Sequence, residues 1–327
     1  MKAVQTPSIS VAMCTYNGER FLSAQLESIA SQSRPPDELV ICDDGSSDGC
    51  AEIVRDFARR AAFPVRLVVN AENLGSTKNF EKAISLCQGT IVALADQDDI
   101  WYRNKLERVE KAFLSSTVVA VFSDADLIDN DSRLWGLRLW KAFSFDAAEQ
   151  RQFRKGRGLK VLVKHPVVTG ATMAFRRKLF DILTPIPSND IHDRWMSFLL
   201  VARGQFELIS DPLMQYRRHE KQQAGLPPQT TRGLMVQART RGATYHLEEI
   251  ERFRQLYDRL GTCRAHFPYA EYAREEIERK VSHLTNRAML PRARVARIPK
   301  VLQEAFNGGY WRYSAGWNSI AKDLVIP

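Results

Sequence analysis

The sequence predicts an α/β protein with a mostly parallel sheet flanked by helices. Three observations predict it. Apolar runs alternate with helix-spaced segments over residues 8–122. Four successive runs end in polar clusters, the arrangement of an open sheet whose chemistry gathers at the carboxyl ends of its strands. Neither G-x-G-x-x-G nor G-x-x-x-x-G-K-[ST] follows the first run, so the common dinucleotide and P-loop versions of such a sheet have no support.

Residues 8–13 form the first apolar strand. Residues 18–32 carry Phe21, Leu22, Leu26 and Ile29 at helical spacing. A second strand, 39–42, follows the Pro35-Pro36 break. Residues 48–60 are helical, with Ile53, Val54 and Phe57 on one side, and 65–69 are a third strand. A helix over 78–86 ends near Gly89; strand 90–95, helix 103–113 and strand 118–122 follow. The rhythm then breaks. Residues 129–158 read as a loop or amphipathic insertion, 167–175 as a strand, 193–201 as a helix and 206–209 as a short strand. From 231 to about 305 the chain looks helical, apolar and basic by turns.

Bulk properties narrow the class. The 327 residues suffice for a sizeable core. Apolar content of 44% and charged content of 26% suit a globular protein, and no apolar run is long enough to span a bilayer. An N-terminus without an apolar core segment, and five cysteines without a C-x-x-C pair, predict a cytoplasmic protein with reduced thiols. Net charge is +9, and from Pro228 onward 17 Lys and Arg face 10 Asp and Glu, so about +7 of it lies in the last third.

The strand ends are the candidate site. The first ends in Thr15-Tyr16-Asn17-Gly18-Glu19, an aromatic beside polar groups, suited to a flat heterocycle. The second ends in Asp43-Asp44-Gly45-Ser46-Ser47-Asp48, which reads either as a turn with a helix cap or as binding groups. The third is followed by Asn73-Leu74-Gly75 and Lys78-Asn79, and the fourth by Asp96-Gln97-Asp98-Asp99. Three close carboxylates repel one another and need solvent, a cation or a basic partner. They suit a helix N-terminus or a divalent cation with a phosphate behind it.

The segments 10–18 (Ser-Val-Ala-Met-Cys-Thr-Tyr-Asn-Gly), Asp43-Asp44-Gly45-Ser46, Asn73-Leu74-Gly75 and Asp96-Gln97-Asp98-Asp99-Ile100-Trp101 together resemble family 2 glycosyltransferases of the GT-A fold, in their bacterial rhamnosyltransferase-like branch. The resemblance covers about residues 8–225 and divides the chain into a GT-A domain, 1–227, and a basic helical extension, 228–327. It implies a nucleotide-diphosphate-sugar donor with Mg²⁺ or Mn²⁺. On the donor side it places Thr15, Tyr16, Asn17, Glu19, Asp43, Asp44, Asn73, Lys78, Asn79 and Asp96, with Tyr16 stacking on the base, Asp44 bonding to it and Asp96 near the ribose. Asp98 would hold the metal, and Tyr216-Arg217-Arg218-His219 matches an element in which His219 joins it; the following Glu220-Lys221-Gln222-Gln223 departs from the usual Gly and Asn.

Catalysis needs a base in the same cleft. Ile191-His192-Asp193-Arg194-Trp195 opens a predicted helix, and the resemblance makes Asp193 the base of an inverting displacement. Gly170, Thr172, His192 and Trp195 would stand on the acceptor side. The implied reaction moves rhamnose or another deoxyhexose from a dTDP-sugar to a cell-surface polysaccharide or lipid-linked oligosaccharide. A UDP- or GDP-hexose donor, or a non-catalytic sugar-nucleotide binder, is the alternative. Residues 287–300 interleave Arg287, Arg292, Arg294, Arg297 and Lys300 with Leu290, Val295 and Ile298. That segment suits either peripheral contact with the cytoplasmic face of an inner membrane or a solvated helix face. No nucleic-acid-binding pattern is present, so no nucleic-acid partner is expected.

Overall fold

The structure is a computed structural model that describes residues 6–219, 231–291 and 293–325, with the backbone alone over 231–243. Contacts divide these into two compact units, one of 6–146, 168–200 and 204–219 and another of 147–167, 201–203 and the residues from 231 on. The sequence reading placed a single boundary at 227/228; the insertion 147–167 instead belongs with the C-terminal helices.

The first unit opens as four strands, β1 (Ile9–Thr15), β2 (Glu38–Asp43), β3 (Val65–Val69) and β4 (Ile91–Asp96), with helices α1 (Glu19–Ala30), α2 (Cys50–Ala58) and α3 (Ser76–Leu86) between them. They lie parallel in the order β3-β2-β1-β4. Ile91 through Ala95 and Leu39 through Cys42 are all buried, as strands covered on both faces must be. At the edge, β3 is half exposed.

Beyond β4 the directions mix. β5 (Ile100–Trp101), α4 (Lys105–Ala112), β6 (Val118–Ile128), β7 (Leu134–Arg138) and α5 (Leu139–Ala142) lead to α6 (Ala147–Arg154) and α7 (Gly158–Leu162) of the second unit. The chain returns through β8 (Met173–Arg176), α8 (Phe180–Leu183), α9 (His192–Arg203) and β9 (Gln205–Arg217). The full order is β3-β2-β1-β4-β8-β6-β9-β5, with β7 on β6. β8 runs antiparallel to both β4 and β6, while β9 runs parallel to β6 and antiparallel to β5.

Several sequence readings change. The segment 129–158 is not a loop but β7 and short helices. The strand expected over 167–175 starts only at Met173, after a 3₁₀ turn Gly170–Thr172. β9 is 13 residues long where a short strand was expected. All five cysteines are unpaired.

The second unit adds α10 (Thr231–Thr262), α11 (Ala270–Ala288), α12 (Arg294–Phe306), α13 (Gly309–Tyr313) and α14 (Trp317–Val325). Its core holds a polar network. The Arg287 guanidinium donates to both Asp323 carboxylate oxygens at 2.7 and 2.8 Å, and Tyr310 Oη donates to Asp323 at 2.6 Å. His246 lies nearby in this electrostatic field, and burial, then the Arg287 charge, push its pKa down to about 4. The folded state thus binds fewer protons than the unfolded chain between pH 6.5 and 4. This contribution is complete above pH 6.5 and disappears as pH falls toward 4. Chemical-denaturation midpoints measured across that range should fall with pH, and His246→Phe should flatten the slope; an unchanged slope would remove His246 as its source.

Candidate active site

The loop after β1 and the loop after β4 are locked together by one side chain. Gln97 accepts the Tyr16 N–H at 2.8 Å and donates to the Tyr16 carbonyl at 3.0 Å. A Cβ on Gly18 would stand 2.2 Å from the Gln97 amide, so any side chain there would displace Gln97. Tyr16 itself is left half exposed at the mouth, 50% accessible. Asn17 turns the chain at φ 47° and accepts the Ser47 N–H at 2.8 Å. Glu19 and Asp48 exchange helix-end contacts. Glu19 Oε2 takes the Gly49 N–H at 2.8 Å, and Asp48 Oδ2 takes the Glu19 N–H at 3.0 Å.

The two aspartates after β2 organise loops. Asp43 is buried and accepts Thr15 Oγ1, Ser46 N–H and Ser46 Oγ at 2.7, 2.8 and 2.6 Å. Asp44 accepts Asn70 Nδ2 and the backbone N–H groups of Leu74 and Gly75 at 2.8, 2.8 and 2.9 Å, which folds the Asn73-Leu74-Gly75 turn over it. Asn73 Nδ2 returns to the Asp44 carbonyl at 3.3 Å. Asn79 does not line an open surface. It is buried, with its amide held by Cys42 O and Asn70. Lys78 reaches Glu81 at 2.8 Å and the Ile186 carbonyl at 2.6 Å, fastening α3 to the segment before α9.

The acidic cluster resolves into three different carboxylates. Asp98 Oδ2 lies 2.7 Å from His219 Nε2. Asp99 accepts the Arg217 N–H at 3.0 Å, while its second oxygen is buried with no hydrogen-bond partner among the described residues. Asp99 therefore does not cap the following helix. Asp96, the last residue of β4, has its pKa raised to about 7 by burial, then by the charges of Asp98 and Asp193.

Arg217, at the end of β9, stitches this corner. Its guanidinium donates to the carbonyls of Asp98 and Asp129 at 2.7 Å each and lies 4.5 Å from the Phe21 ring. The His219 ring meets the same Phe21 at 5.4 Å.

The opposite wall carries Asp193, in the first turn of α9, where the helix dipole favours a carboxylate. Its Oδ2 accepts the Gly170 N–H at 3.0 Å. His192 is buried on the Phe80 ring, centroids 4.1 Å apart, with neither ring nitrogen hydrogen-bonded among the described residues; burial lowers its pKa. Trp195 is a packing residue: it is 2% exposed and its indole donates to the Leu183 carbonyl at 2.7 Å. Thr172 is also buried, with its hydroxyl on the Thr169 carbonyl at 2.8 Å.

Lys105 joins the two walls. The buried ammonium donates to the Ala171 carbonyl at 2.6 Å, inside the turn whose Gly170 holds Asp193. It also sits 4.0 Å from the Trp101 ring, and burial lowers its pKa to about 7 against the pull of Asp99 and Asp96. Gln97, Lys105 and Arg217 escaped the sequence reading as site residues. Arg217 stood inside the Tyr-Arg-x-His match, whereas nothing local to Lys105 marks it out.

A Cβ at Gly170 would come within 2.7 Å of His192 Nε2. Gly170→Ala should therefore displace His192 and, with it, Asp193. We expect roughly 1–3 kcal/mol of lost stability and a fall in turnover with donor affinity unchanged. Thermal melts and steady-state kinetics test this, and the double variant with His192→Ala should recover part of both losses.

Comparisons with known proteins identify the family. The glycosyl transferase family 2 model matches residues 10–183. WfgD of Escherichia coli, a UDP-Glc:α-D-GlcNAc-diphosphoundecaprenol β-1,3-glucosyltransferase, is 31% identical over 124 residues, 38% of this chain and 48% of WfgD, so the match spans about half of that relative. The dTDP-rhamnosyl transferase RfbG of Shigella flexneri is 25% identical over 227 residues, 65% of this chain and 73% of its own length. The mannosyltransferase PcManGT of Pyrobaculum calidifontis, solved with GDP-Man and Mn²⁺, superposes with a TM-score of 0.53 at 21% identity, over 92% of this chain and 75% of that one, which shows a shared fold.

Proposed function

Because the chain belongs to glycosyl transferase family 2, we propose that it is an inverting glycosyltransferase that moves a sugar from a nucleotide-diphosphate donor to a glycan or lipid-linked glycan. The observation that carries this reading is the convergence of two walls. The Asp98–His219 pair stands on one and Asp193 on the other, and the Asp193 charge is felt at Asp96. A carboxylate whose charge reaches the acidic cluster supports catalysis over sugar-nucleotide binding alone.

In this reading the donor nucleotide lies against Tyr16 and over the loops ordered by Asp43 and Asp44. Asp193 takes the proton from the acceptor hydroxyl. The hydroxyl oxygen bonds to the anomeric carbon while the bond from that carbon to the diphosphate oxygen breaks. Nucleoside diphosphate leaves with that electron pair, and the configuration inverts.

The residues present fit a divalent cation. Asp96, Asp98 and Asp99 lie within four residues of one another, and one buried Asp99 oxygen has no hydrogen-bond partner among the described residues. Asp98 offers a hard oxygen and His219 an imidazole nitrogen, a donor set that Mn²⁺ or Mg²⁺ accepts. Among the described residues no three such side chains converge, so protein ligands would supply only part of the shell. A bound cation would neutralise charge developing on the departing diphosphate.

Rhamnose from a dTDP-sugar remains the favoured donor, supported by the likeness to RfbG. The likeness to WfgD supports a UDP-hexose instead, and also an acceptor linked to a polyprenyl diphosphate. Incubation with Mn²⁺ or Mg²⁺ and a panel of UDP-, dTDP- and GDP-sugars, reading released nucleoside diphosphate, decides among them. Absence of metal-dependent release and binding with every donor would sink the transferase reading.

A further inference from the structure

Two of the basic residues of 287–300 do not join a solvated face, and Arg292 lies outside the described residues. Arg287 is buried on Asp323, and Arg297 is 4% exposed, with one guanidinium nitrogen on the Asp323 carbonyl at 2.9 Å. α12 also turns an apolar stripe outward. Val295, Ile298, Leu302 and Phe306 are 80, 45, 59 and 95% exposed. At 3.6 residues per turn these four fall within roughly 80° of arc. The inner face is separately satisfied, because Val301 packs with Tyr310 of α13 and Ile320 of α14. α12 is thus apolar on two faces, only one of which the fold covers.

Its neighbours continue the pattern. α14 exposes Trp317 at 72%, and Trp311 of α13 is exposed too, their rings edge-to-face at 5.5 Å. A contiguous apolar stripe such as that of α12 marks an interaction site.

Charge selects the partner. From Arg287 to the end the sequence holds seven Lys and Arg against two acidic residues. Both acids are engaged inside the unit, Glu304 with His283 at 2.6 Å and Asp323 with Arg287. The exposed charges of α12 and α13, Arg294, Lys300 and Arg312, are all positive. A second copy would bring the same positive charge against this face and be repelled. An apolar stripe with exposed tryptophans and flanking cations matches the boundary between anionic headgroups and acyl chains. No described helix is long and apolar enough to cross a bilayer, so the contact is made in the plane of the surface.

We propose that α12 docks this unit on an anionic phospholipid bilayer, with Leu302 and Phe306 entering the acyl boundary and Arg294 and Lys300 on the headgroups. The proposal is independent of donor and metal, and its test needs neither.

The full chain is sedimented with sucrose-loaded vesicles of phosphatidylcholine, with and without phosphatidylglycerol. Binding is expected with phosphatidylglycerol only, and should weaken as salt rises. Leu302→Ser with Phe306→Ser should lower the partition coefficient at least about tenfold. Both side chains are solvent-exposed, so melting temperature should not fall, and Lys300→Gln, a second variant that removes one positive charge, should also weaken binding. Equal sedimentation of the double variant and the parent would overturn the proposal, as would no vesicle binding by the parent. Concentration-dependent dimerisation abolished by the double variant, without vesicle binding, would overturn it in favour of a second copy.

Discussion

Asp193→Asn should reduce transfer by about 10²–10⁴-fold, the range for removing a general base, with donor affinity essentially unchanged. The substitution is close to isosteric. The asparagine carbonyl can still accept the Gly170 N–H that holds the native carboxylate at 3.0 Å, so the turn Gly170–Thr172 keeps its anchor. What disappears is basicity toward the acceptor hydroxyl. Single-turnover transfer and calorimetric donor titration separate the two effects. Full transfer by the variant would require another base. Joint loss of donor binding and transfer would instead place Asp193 on the donor side.

Asp98→Asn should act at the other wall and on a different quantity. Asp98 lies 2.7 Å from His219 Nε2, and the neutral amide is a weak ligand for a hard cation. Metal affinity, and donor affinity measured with metal, should fall about 10–100-fold, the scale seen when a metal site loses a supporting contact, or further. His219→Ala should fall in the same direction, and combining the two should cost less than the sum of the single losses because they share one ion. Calorimetry with Mn²⁺ and nucleoside diphosphate provides the measurement. Unchanged affinity in both variants would separate this pair from any cation.

The first four strands were legible because each is an unbroken apolar run and their polar ends repeat. β9 was not, since Ser210-Asp211-Pro212 interrupts its apolar pattern; the strand carries on through that point by shifting register against β6. The 3₁₀ turn Gly170–Thr172 was read as strand because a single turn leaves no periodicity. Within the site, residue type showed where chemistry could lie without showing which groups the fold itself engages. Glu19, Asn79 and Trp195 have the composition of a binding site, yet each is tied to backbone partners. Lys105 shows the converse. A lysine in a helix reads as surface, and only the tertiary packing that buries it over Trp101 reveals its contact with Ala171.

The contact between Asp98 and His219 spans 121 positions of sequence. At a synthesis rate of about 5–20 residues per second, those positions take about 6–24 s to emerge from a ribosome. The loops built by Asp43 and Asp44 need nothing later than Gly75 and can close early. The acidic corner, by contrast, must wait for Arg217 and His219. During translation the nascent chain therefore holds the loops ordered by Asp43 and Asp44 beside an unfinished anionic edge, and the corner's last piece is assembled when β9 leaves the exit tunnel. Ribosome-bound chains stalled before and after β9 should differ in protease protection at the residues following Asp96.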